Sequence, residues 1–237
     1  MISEPARVKR FYKNVTVSEQ AGRYAVFLDG RPVKTQGGAQ LLAPTLSLAE
    51  AIADEWTTQG EHITRSTMPL TGMQSAALDG ADIADEWLDE IVKYLGSDLI
   101  CYRADAQEAL AKRQAAVWDP YINFMREEFG ALLVTTSGIV AVTQPRASSE
   151  ALRRALKKES PETLFGLQIA TAITGSAVLA LAVWRHAYSA EEAFEASRVD
   201  ERFQAESWGV DDEANAREIR LLSDFLTVAQ FLLLLED

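Results

Sequence analysis

One long uncharged run limits the possible folds of this chain more than any other feature. Residues 165–184 contain no charged side chain, and about 20 apolar residues are enough to cross a bilayer as a helix. The run is, however, rich in Ala, Thr, Gly and Ser, includes Gln168, and has no cluster of basic residues beside it. Helices that are apolar on all sides also occur at the centre of large proteins. The composition therefore predicts a central helix buried in a helical bundle, with no stable membrane insertion.

The first 44 residues carry the signals of β structure. Asp29-Gly30 lies between two segments of strand-like composition, 24–28 and 31–35. This dipeptide between two such segments is the strongest short-range hairpin signal, because Asp and Gly both tolerate a positive φ. Pro32 cannot donate a hydrogen bond to a neighbouring strand, so we expect the second segment to have a free edge.

After Pro44 the apolar residues take the spacing of helices. Leu48, Ile52 and Trp56 recur at every fourth position, which places them on one face of a helix. Ser47 and Glu50 have the spacing of a capping box for this helix. Further stripes predict helices over 83–95, 105–129, 161–184, 189–208 and 211–235. Ser160 before Pro161 is the predicted cap of the third of these helices, and Ser189 and Glu192 form a second predicted capping box at the start of the fourth.

These patterns predict an α+β protein with two domains. A small β-rich N-terminal domain covers residues 1–44, and a larger, mostly helical domain covers residues 45–237. Within the second domain, residues 131–143 are rich in β-branched side chains that favour strand. No close partner strand is evident from the sequence, so their secondary structure stays open.

The charge balance and the N-terminus restrict partners and location. The chain has 23 Lys and Arg against 35 Asp and Glu, a net charge of −12. Nucleic-acid binding needs clustered cations that displace counterions, so we expect no nucleic-acid partner. The first residues contain an early Glu4 and no apolar run, which fits neither a secretory signal nor an Arg-rich transit peptide. We expect a cytoplasmic protein of bacterial type, or a processed mature chain.

Catalytic motifs are scarce. His62 and His186 lie far apart and outside any metal-ligand spacing, and no phosphate-binding loop or nucleophile elbow is present. Neighbouring acids such as Asp200-Glu201 and Asp211-Asp212 are able to do acid–base work, but charges at helix N-termini explain them as well. We expect the chain to have no enzymatic activity and to bind no cofactor, metal or nucleotide. Two alternatives stay open: a carboxylate-based hydrolase or transferase of unknown substrate, and a membrane-associated factor that uses residues 165–184.

An acidic segment near the C-terminus is the best candidate for a binding surface. Residues 191–218 hold ten acids against three arginines. One interpretation is a solvated face, and the other is a docking surface for a basic partner, where charge sets specificity and association rate. Trp208 beside Gly209 is interpreted either as an anchor of that surface or as a core residue at a helix end.

Motifs spread over nearly the whole chain resemble one known family. They are Arg10-Phe11-Tyr12-Lys13, Asp29-Gly30-Arg31-Pro32-Val33-Lys34-Thr35, Glu55-Trp56, Met68-Pro69-Leu70-Thr71, Ser97-Asp98-Leu99, Trp118-Asp119-Pro120, Gly175-Ser176, Asp200-Glu201 and Trp208-Gly209. In this order they resemble the chaperone that assembles the catalytic sector of F-type ATP synthase by handling its α subunit. One departure is Gln36, where the family often has proline, and it concerns only the geometry of that turn.

The resemblance implies a function that composition does not show. Members of this family bind the unassembled α subunit, keep its interface from aggregating, and give way to β subunits; they are not known as enzymes and need no nucleotide. The resemblance also implies a small β-rich domain joined to a helical one. Because the family occurs in mitochondria and in related bacteria, we expect the bacterial cytoplasm, or the mitochondrial matrix for a processed eukaryotic form.

The acidic segment and the motifs together give candidate contact residues for this partner. In the C-terminal segment they are Glu201, Glu206, Trp208, Asp211 and Asp212. Glu55 and Trp56 are further candidates in the first helix. Because Trp56 lies on the apolar stripe, we expect it to be mainly structural, so that Trp56→Arg destabilises the fold.

Overall fold

The computed structural model describes residues 8–105, 108–138, 141–209 and 211–236. Backbone contacts divide the chain into two compact units. Unit 1 contains the described residues up to Asp82 and again from Phe231, and unit 2 runs from Ile83 to Gln230. A small β region followed by helices confirms the predicted α+β class.

Unit 1 contains a small antiparallel sheet. Its strands are β1 (Val15–Gln20), β2 (Arg23–Leu28), β3 (Arg31–Pro32) and β4 (Leu42–Ala43). Strand β2 pairs with the other three. The predicted hairpin at Asp29-Gly30 is confirmed, because Leu28 pairs with Arg31 across it and both turn residues have a positive φ, 48° and 77°.

Two helices complete unit 1: α1 (Leu46–Thr57) and α2 (Pro69–Asp79), with a 3-10 turn at Arg65–Thr67 between them. The predicted capping box at Ser47 is wrong, because Thr45 is the N-cap and its hydroxyl accepts from the Leu48 amide at 3.2 Å. The core joins the sheet to one face of α1 and includes Val26, Leu28, Leu48, Ile52 and Phe231. Unit 1 thus includes two helices beyond residue 44, where the sequence suggested a boundary.

Unit 2 is mostly helical. Its helices are α3 (Ala84–Leu95), α4 (Glu108–Phe129), α5 (Arg146–Leu156), α6 (Pro161–Thr174), α7 (Ala177–Trp184), α8 (Ala190–Ser197), α9 (Val199–Trp208) and α10 (Asp212–Leu234), the last of which ends in unit 1. Two short strands, β5 (Tyr102–Arg103) and β6 (Thr136–Ser137), form a parallel pair. Strand β6 lies within residues 131–143, the segment whose secondary structure the sequence leaves open. Further 3-10 turns lie at Ala81–Ile83 and Leu99–Cys101. Residues 139 and 140 of segment 131–143 lie outside the described residues.

The uncharged run is buried, but the prediction of one continuous helix is wrong. Helix α6 ends at Gly175, which has a φ of 69°, and Ser176 then caps α7 by accepting from the Leu179 amide at 3.1 Å. Every side chain of α7 except Val183 is buried. Within the described ranges, no helix is both long enough and apolar enough to cross a membrane.

A buried carboxylate fixes the start of α7. Asp98 is fully buried, and its oxygens accept hydrogen bonds from the amides of Ile100 at 3.3 Å and Val178 at 3.1 Å. Burial raises the pKa of Asp98 to about 6, against the hydrogen bonds that favour its charged form. The acid therefore caps a helix that begins 79 positions later in the chain.

The predicted helix over 189–208 is two helices. The capping box is confirmed, because Ser189 and Glu192 each accept from the other's backbone amide. Helix α8 then ends at Ser197, and Arg198 leaves helical geometry with a φ of −110° before α9 begins. The break turns α9 into a separate element, which carries three of the candidate contact residues.

Candidate partner-binding surface

A groove in unit 2 runs between α9 and α10. It has a volume of about 660 Å³, and its lining includes three predicted contact residues, Glu201, Trp208 and Asp211. A second depression of about 700 Å³ shares Glu201 and Leu221 with it and continues onto α6. The structure therefore brings three sequence-predicted residues together on one surface.

Trp208 is the most exposed large apolar side chain of this surface. It ends α9, because Gly209 follows with a φ of 86°, a conformation that L residues rarely adopt. Its side chain is 89% exposed, so the interpretation of Trp208 as a core residue is wrong. Trp is enriched among residues that dominate protein–protein binding, because it offers a large rigid contact area. An indole left in water at the rim of a groove is suited to that role.

The start of α10 carries the predicted acids. Asp211 precedes the helix, and its carboxylate accepts from the amides of Glu213 at 3.5 Å and Ala214 at 3.3 Å. Asp212 lies in the exposed first turn. Carboxylates at a helix N-terminus are stabilised by the unpaired amides and the helix dipole. Both acids therefore have a structural explanation, and they still present negative charge beside Trp208.

Most other charges of the groove are paired within the protein. Arg202 bridges Glu195 on α8 and Glu218 on α10, at 2.7 and 2.6 Å. Hydrogen bonding to Arg202 lowers the pKa of Glu195, and the same carboxylates raise the pKa of Arg202. Arg198 pairs with Glu201 at 3.2 Å. These bridges hold α8, α9 and α10 together, so they position the groove while neutralising much of its charge.

Glu206 does not line the groove. Its two carboxylate oxygens accept from Arg113 on α4 at 2.7 and 2.9 Å, and this hydrogen bonding lowers the pKa of Glu206. Arg113 also lies over the ring of Phe203, at 5.3 Å from its centre. Glu206 therefore ties α9 to α4.

Asp200 and Glu201 have separate partners. Asp200 accepts from the Gln114 amide group at 2.7 Å, whereas Glu201 pairs with Arg198. Two carboxylates that share an acid–base task need to face one substrate position. In the part of the chain that the structure describes, no group of three or more His, Cys, Asp or Glu side chains is placed to hold a metal ion.

Glu55 caps a helix in unit 1. One carboxylate oxygen accepts from the Leu70 amide at 2.7 Å, and the other from the Thr71 amide at 2.8 Å and the Thr71 hydroxyl at 2.7 Å. These amides belong to the first turn of α2, where the N-cap, Met68, has no side-chain acceptor. Burial raises the pKa of Glu55, and the three hydrogen bonds oppose that shift. The motif from Met68 to Thr71 is therefore the start of α2, and Glu55 is the acceptor that caps it.

Trp56 packs inside unit 1. Its ring packs against Tyr12 with ring centres 5.7 Å apart, and its carbonyl accepts from the Tyr12 hydroxyl at 2.7 Å. The indole also packs against the core of unit 1. Its Nε1 atom is buried and has no hydrogen-bond partner among the described residues.

The apolar residues of the second depression were not predicted from the sequence. Ile169 and Ile173 of α6 line the second depression together with Leu221 of α10. The two isoleucines have the four-residue spacing of one helix face, but this signal is hidden in a run that is apolar on every face.

Comparisons with known proteins place this chain among chaperones. A family model described as ATP12 chaperone protein matches residues 9–126. The protein named atp12, mitochondrial, of Schizosaccharomyces pombe is 23% identical over 220 residues, which is 87% of this chain and 76% of that protein. The crystal structure of Atp12 from Paracoccus denitrificans matches with 38% identity and a TM-score of 0.94, over 97% of this chain and 99% of that one. The Atu1473 protein of Agrobacterium tumefaciens matches with 36% identity and a TM-score of 0.89, over 95% and 85%.

Proposed function

This chain belongs to the ATP12 chaperone family of ATP synthase assembly factors, and we propose that it binds the unassembled α subunit of that enzyme. In this proposal it shields the subunit's interface from aggregation and hands the subunit over to β subunits. An unassembled ring subunit exposes a large apolar interface, which is an aggregation hazard. Because no nucleotide-binding motif is present, binding is at equilibrium and release comes from competition by the true partner.

The observation that supports this proposal best is the α9–α10 groove with Trp208 at its rim. An exposed indole beside an apolar depression gives a binding surface its anchor, and nearby acids help to select a basic partner surface. We propose Trp208, Glu201, Asp211 and Asp212 as direct contacts. Glu206, proposed with them from the sequence, would act by holding α9 on α4.

In unit 1, Glu55 and Trp56 support binding through the fold. The Glu55 carboxylate is occupied by the first turn of α2, and Trp56 is packed on Tyr12 and the core. We therefore propose that substitutions at these two positions reduce binding by disturbing unit 1.

The test is co-purification of the α subunit with the full-length chain. We expect Trp208→Ala to reduce recovered α subunit at least tenfold with an unchanged melting temperature, since the side chain is almost fully exposed. Leu132→Ala is the matched control, because Leu132 is also exposed, at 60%, and lies outside the groove. Equal recovery with both variants would reject the groove, and absence of α subunit beside other recovered partners would reject the function.

A charge reversal tests the acidic part of the surface. Asp212→Lys should weaken α-subunit binding, because it places a positive charge at the start of α10 beside Trp208. Asp85→Lys is the control, since Asp85 is an exposed acid in the first turn of α3 and loses the same helix-dipole interaction. If both variants bind the α subunit equally well, the acids at the start of α10 are exposed to solvent and do not contribute to binding.

For location, we propose the bacterial cytoplasm, or the mitochondrial matrix for a processed eukaryotic form. The relative from S. pombe is named as mitochondrial, and the structural relatives come from bacteria. Cell fractionation followed by detection of the native chain tests this, and recovery from the periplasm would contradict it.

A further inference from the structure

Unit 1 contains a pocket that the groove on unit 2 leaves unexplained. We call it the Phe11 pocket; its volume is about 310 Å³. Its walls are formed by Phe11, Trp56, Ile63 and Met68, together with the side of α2 at Thr71. Ligand-binding pockets in proteins start at about 300 Å³, so this one is the size for one or two side chains and too small for a large cofactor.

Ordered backbone holds the exposed aromatic side chain at this pocket. Residues 8–12 run beside residues 61–63, with hydrogen bonds from the Arg10 amide to the Glu61 carbonyl at 2.9 Å and from the Ile63 amide to the Val8 carbonyl at 2.8 Å. The Arg10 guanidinium also donates to the Gln59 carbonyl at 2.6 Å. Phe11 is 66% exposed despite this fixed backbone. A fixed and exposed phenylalanine at the mouth of a pocket offers apolar area to a ligand.

The charges of the pocket have one sign. Lys34 and Arg65 line it and are exposed. Neither cation forms an ion pair or a side-chain hydrogen bond within the described ranges, and no described lining residue carries a carboxylate. The nearest carboxylates are already hydrogen-bonded to the wall, Glu55 to Thr71 and Asp79 to Thr35 and Ser75, whereas the two cations of the lining are unpaired among the described residues. Such a pocket attracts a ligand with negative charge.

An unsatisfied donor is an independent sign of a missing ligand. The indole of Trp56 forms part of the wall, and its Nε1 is buried without an acceptor in the described part of the chain. Buried N–H groups are almost always hydrogen-bonded, so each exception needs an explanation. An oxygen atom brought by a bound segment would supply the acceptor after a small movement of the wall.

We propose that the Phe11 pocket binds a peptide segment of a protein partner that carries one large apolar side chain between carboxylates. The apolar side chain packs against Phe11 and Met68, and the carboxylates pair with Lys34 and Arg65. This site lies in unit 1, and it requires neither the α9–α10 groove nor the identity of the partner proposed for it.

The test uses a synthetic pentapeptide with a central phenylalanine and two glutamates on each side. It is titrated into the ¹⁵N-labelled full-length protein, whose five tryptophans give five indole N–H signals. The signal of Trp56 is identified as the one that Trp56→Phe removes. We expect this signal to shift saturably, toward the position of a hydrogen-bonded indole, while the other four stay in place.

Variants separate specific binding from the effect of net charge. Lys34→Glu combined with Arg65→Glu should weaken peptide binding at least tenfold. Lys157→Glu combined with Lys158→Glu makes the same change of net charge at exposed positions in unit 2 and should leave binding unchanged. Phe11→Ala should also weaken binding, and its exposed position makes a folding defect small.

Three results would overturn the proposal. They are the absence of a saturable shift at Trp56, equal weakening by both pairs of charge reversals, and equal binding of a peptide with glutamine in place of glutamate. No ATP synthase subunit enters this assay, so its failure is separate from failure of the proposed function.

Discussion

The Glu55 carboxylate gives the sharpest test of how this sequence specifies its fold. Glu55→Ala leaves the Leu70 and Thr71 amides, in the first turn of α2, without their acceptor. Loss of a helix cap costs about 0.5–2 kcal/mol, and an unsatisfied buried donor about 1–3 kcal/mol. The variant also removes a partly buried acid whose pKa is raised by burial, which returns part of this energy. We expect a net loss of about 2 kcal/mol in the free energy of unfolding.

The matched control is Glu50→Ala. Glu50 lies on the same helix, is exposed, and forms no side-chain hydrogen bond or ion pair among the described residues. Both changes gain the same helix propensity, because Ala replaces Glu in each. The difference between the two variants therefore measures the cap and not the helix.

Two measurements check this prediction. Urea unfolding gives the loss of stability, and a change of about 2 kcal/mol corresponds to about 4–8 °C in melting temperature for a chain of this size. Amide hydrogen exchange then locates the effect, since Leu70 and Thr71 should lose protection in Glu55→Ala alone. If Glu55→Ala destabilises no more than Glu50→Ala, or if these two amides stay protected, the capping argument fails.

Three further predictions follow from other local features. The pKa of Asp98 is about 6 in the folded protein and 3.8 without burial, so the folded state binds the proton of this acid more tightly than the unfolded state. The protonated acid therefore stabilises the fold below pH 4, and this stabilisation is lost as pH rises through 6. Asp98→Asn should remove this dependence, which amounts to about 2 kcal/mol between pH 4 and 7 in urea titrations, and parallel pH profiles of both proteins would contradict it. Gly175→Ala should lower the free energy of unfolding by about 1–2 kcal/mol, because an alanine is strained at the glycine's φ of 69°. The control is Gly72→Ala, which adds a methyl group in open space within α2 and should leave the melting temperature unchanged or raise it. Glu206→Lys should weaken α-subunit binding by releasing α9 from α4, while the melting temperature changes little because the bridge to Arg113 is exposed. Unchanged binding in co-purification would show that this bridge does not support the groove.

Local signals were the ones that sequence reasoning interpreted correctly. The turn at Asp29-Gly30, the Ser160 cap before Pro161 and the capping box of Ser189 and Glu192 all depend on residues within a few positions of each other. In each case the backbone preference of one or two residues is sufficient to fix the geometry. Such features can be recognised without knowledge of the tertiary structure.

Features that depend on distant partners were missed or misplaced. The break at Gly175 was hidden inside an apolar run, and its new helix is capped by Asp98, 80 positions before Val178. Glu206 looked like part of an acidic surface, but Arg113, 93 positions away, occupies its carboxylate. Trp208 and Asp211, by contrast, are close in sequence and were predicted together.

The composition of unit 1 has a consequence for synthesis of the chain on the ribosome. Phe231 is fully buried in its core, and the Thr45 hydroxyl donates to the carbonyl of Leu234. The sheet and its two helices emerge first, yet their packing is completed only by residues translated almost 150 positions later. A nascent or truncated chain that lacks this last segment keeps an open apolar face, which proteases and chaperones recognise. Only a chain translated through this segment therefore acquires a closed N-terminal unit.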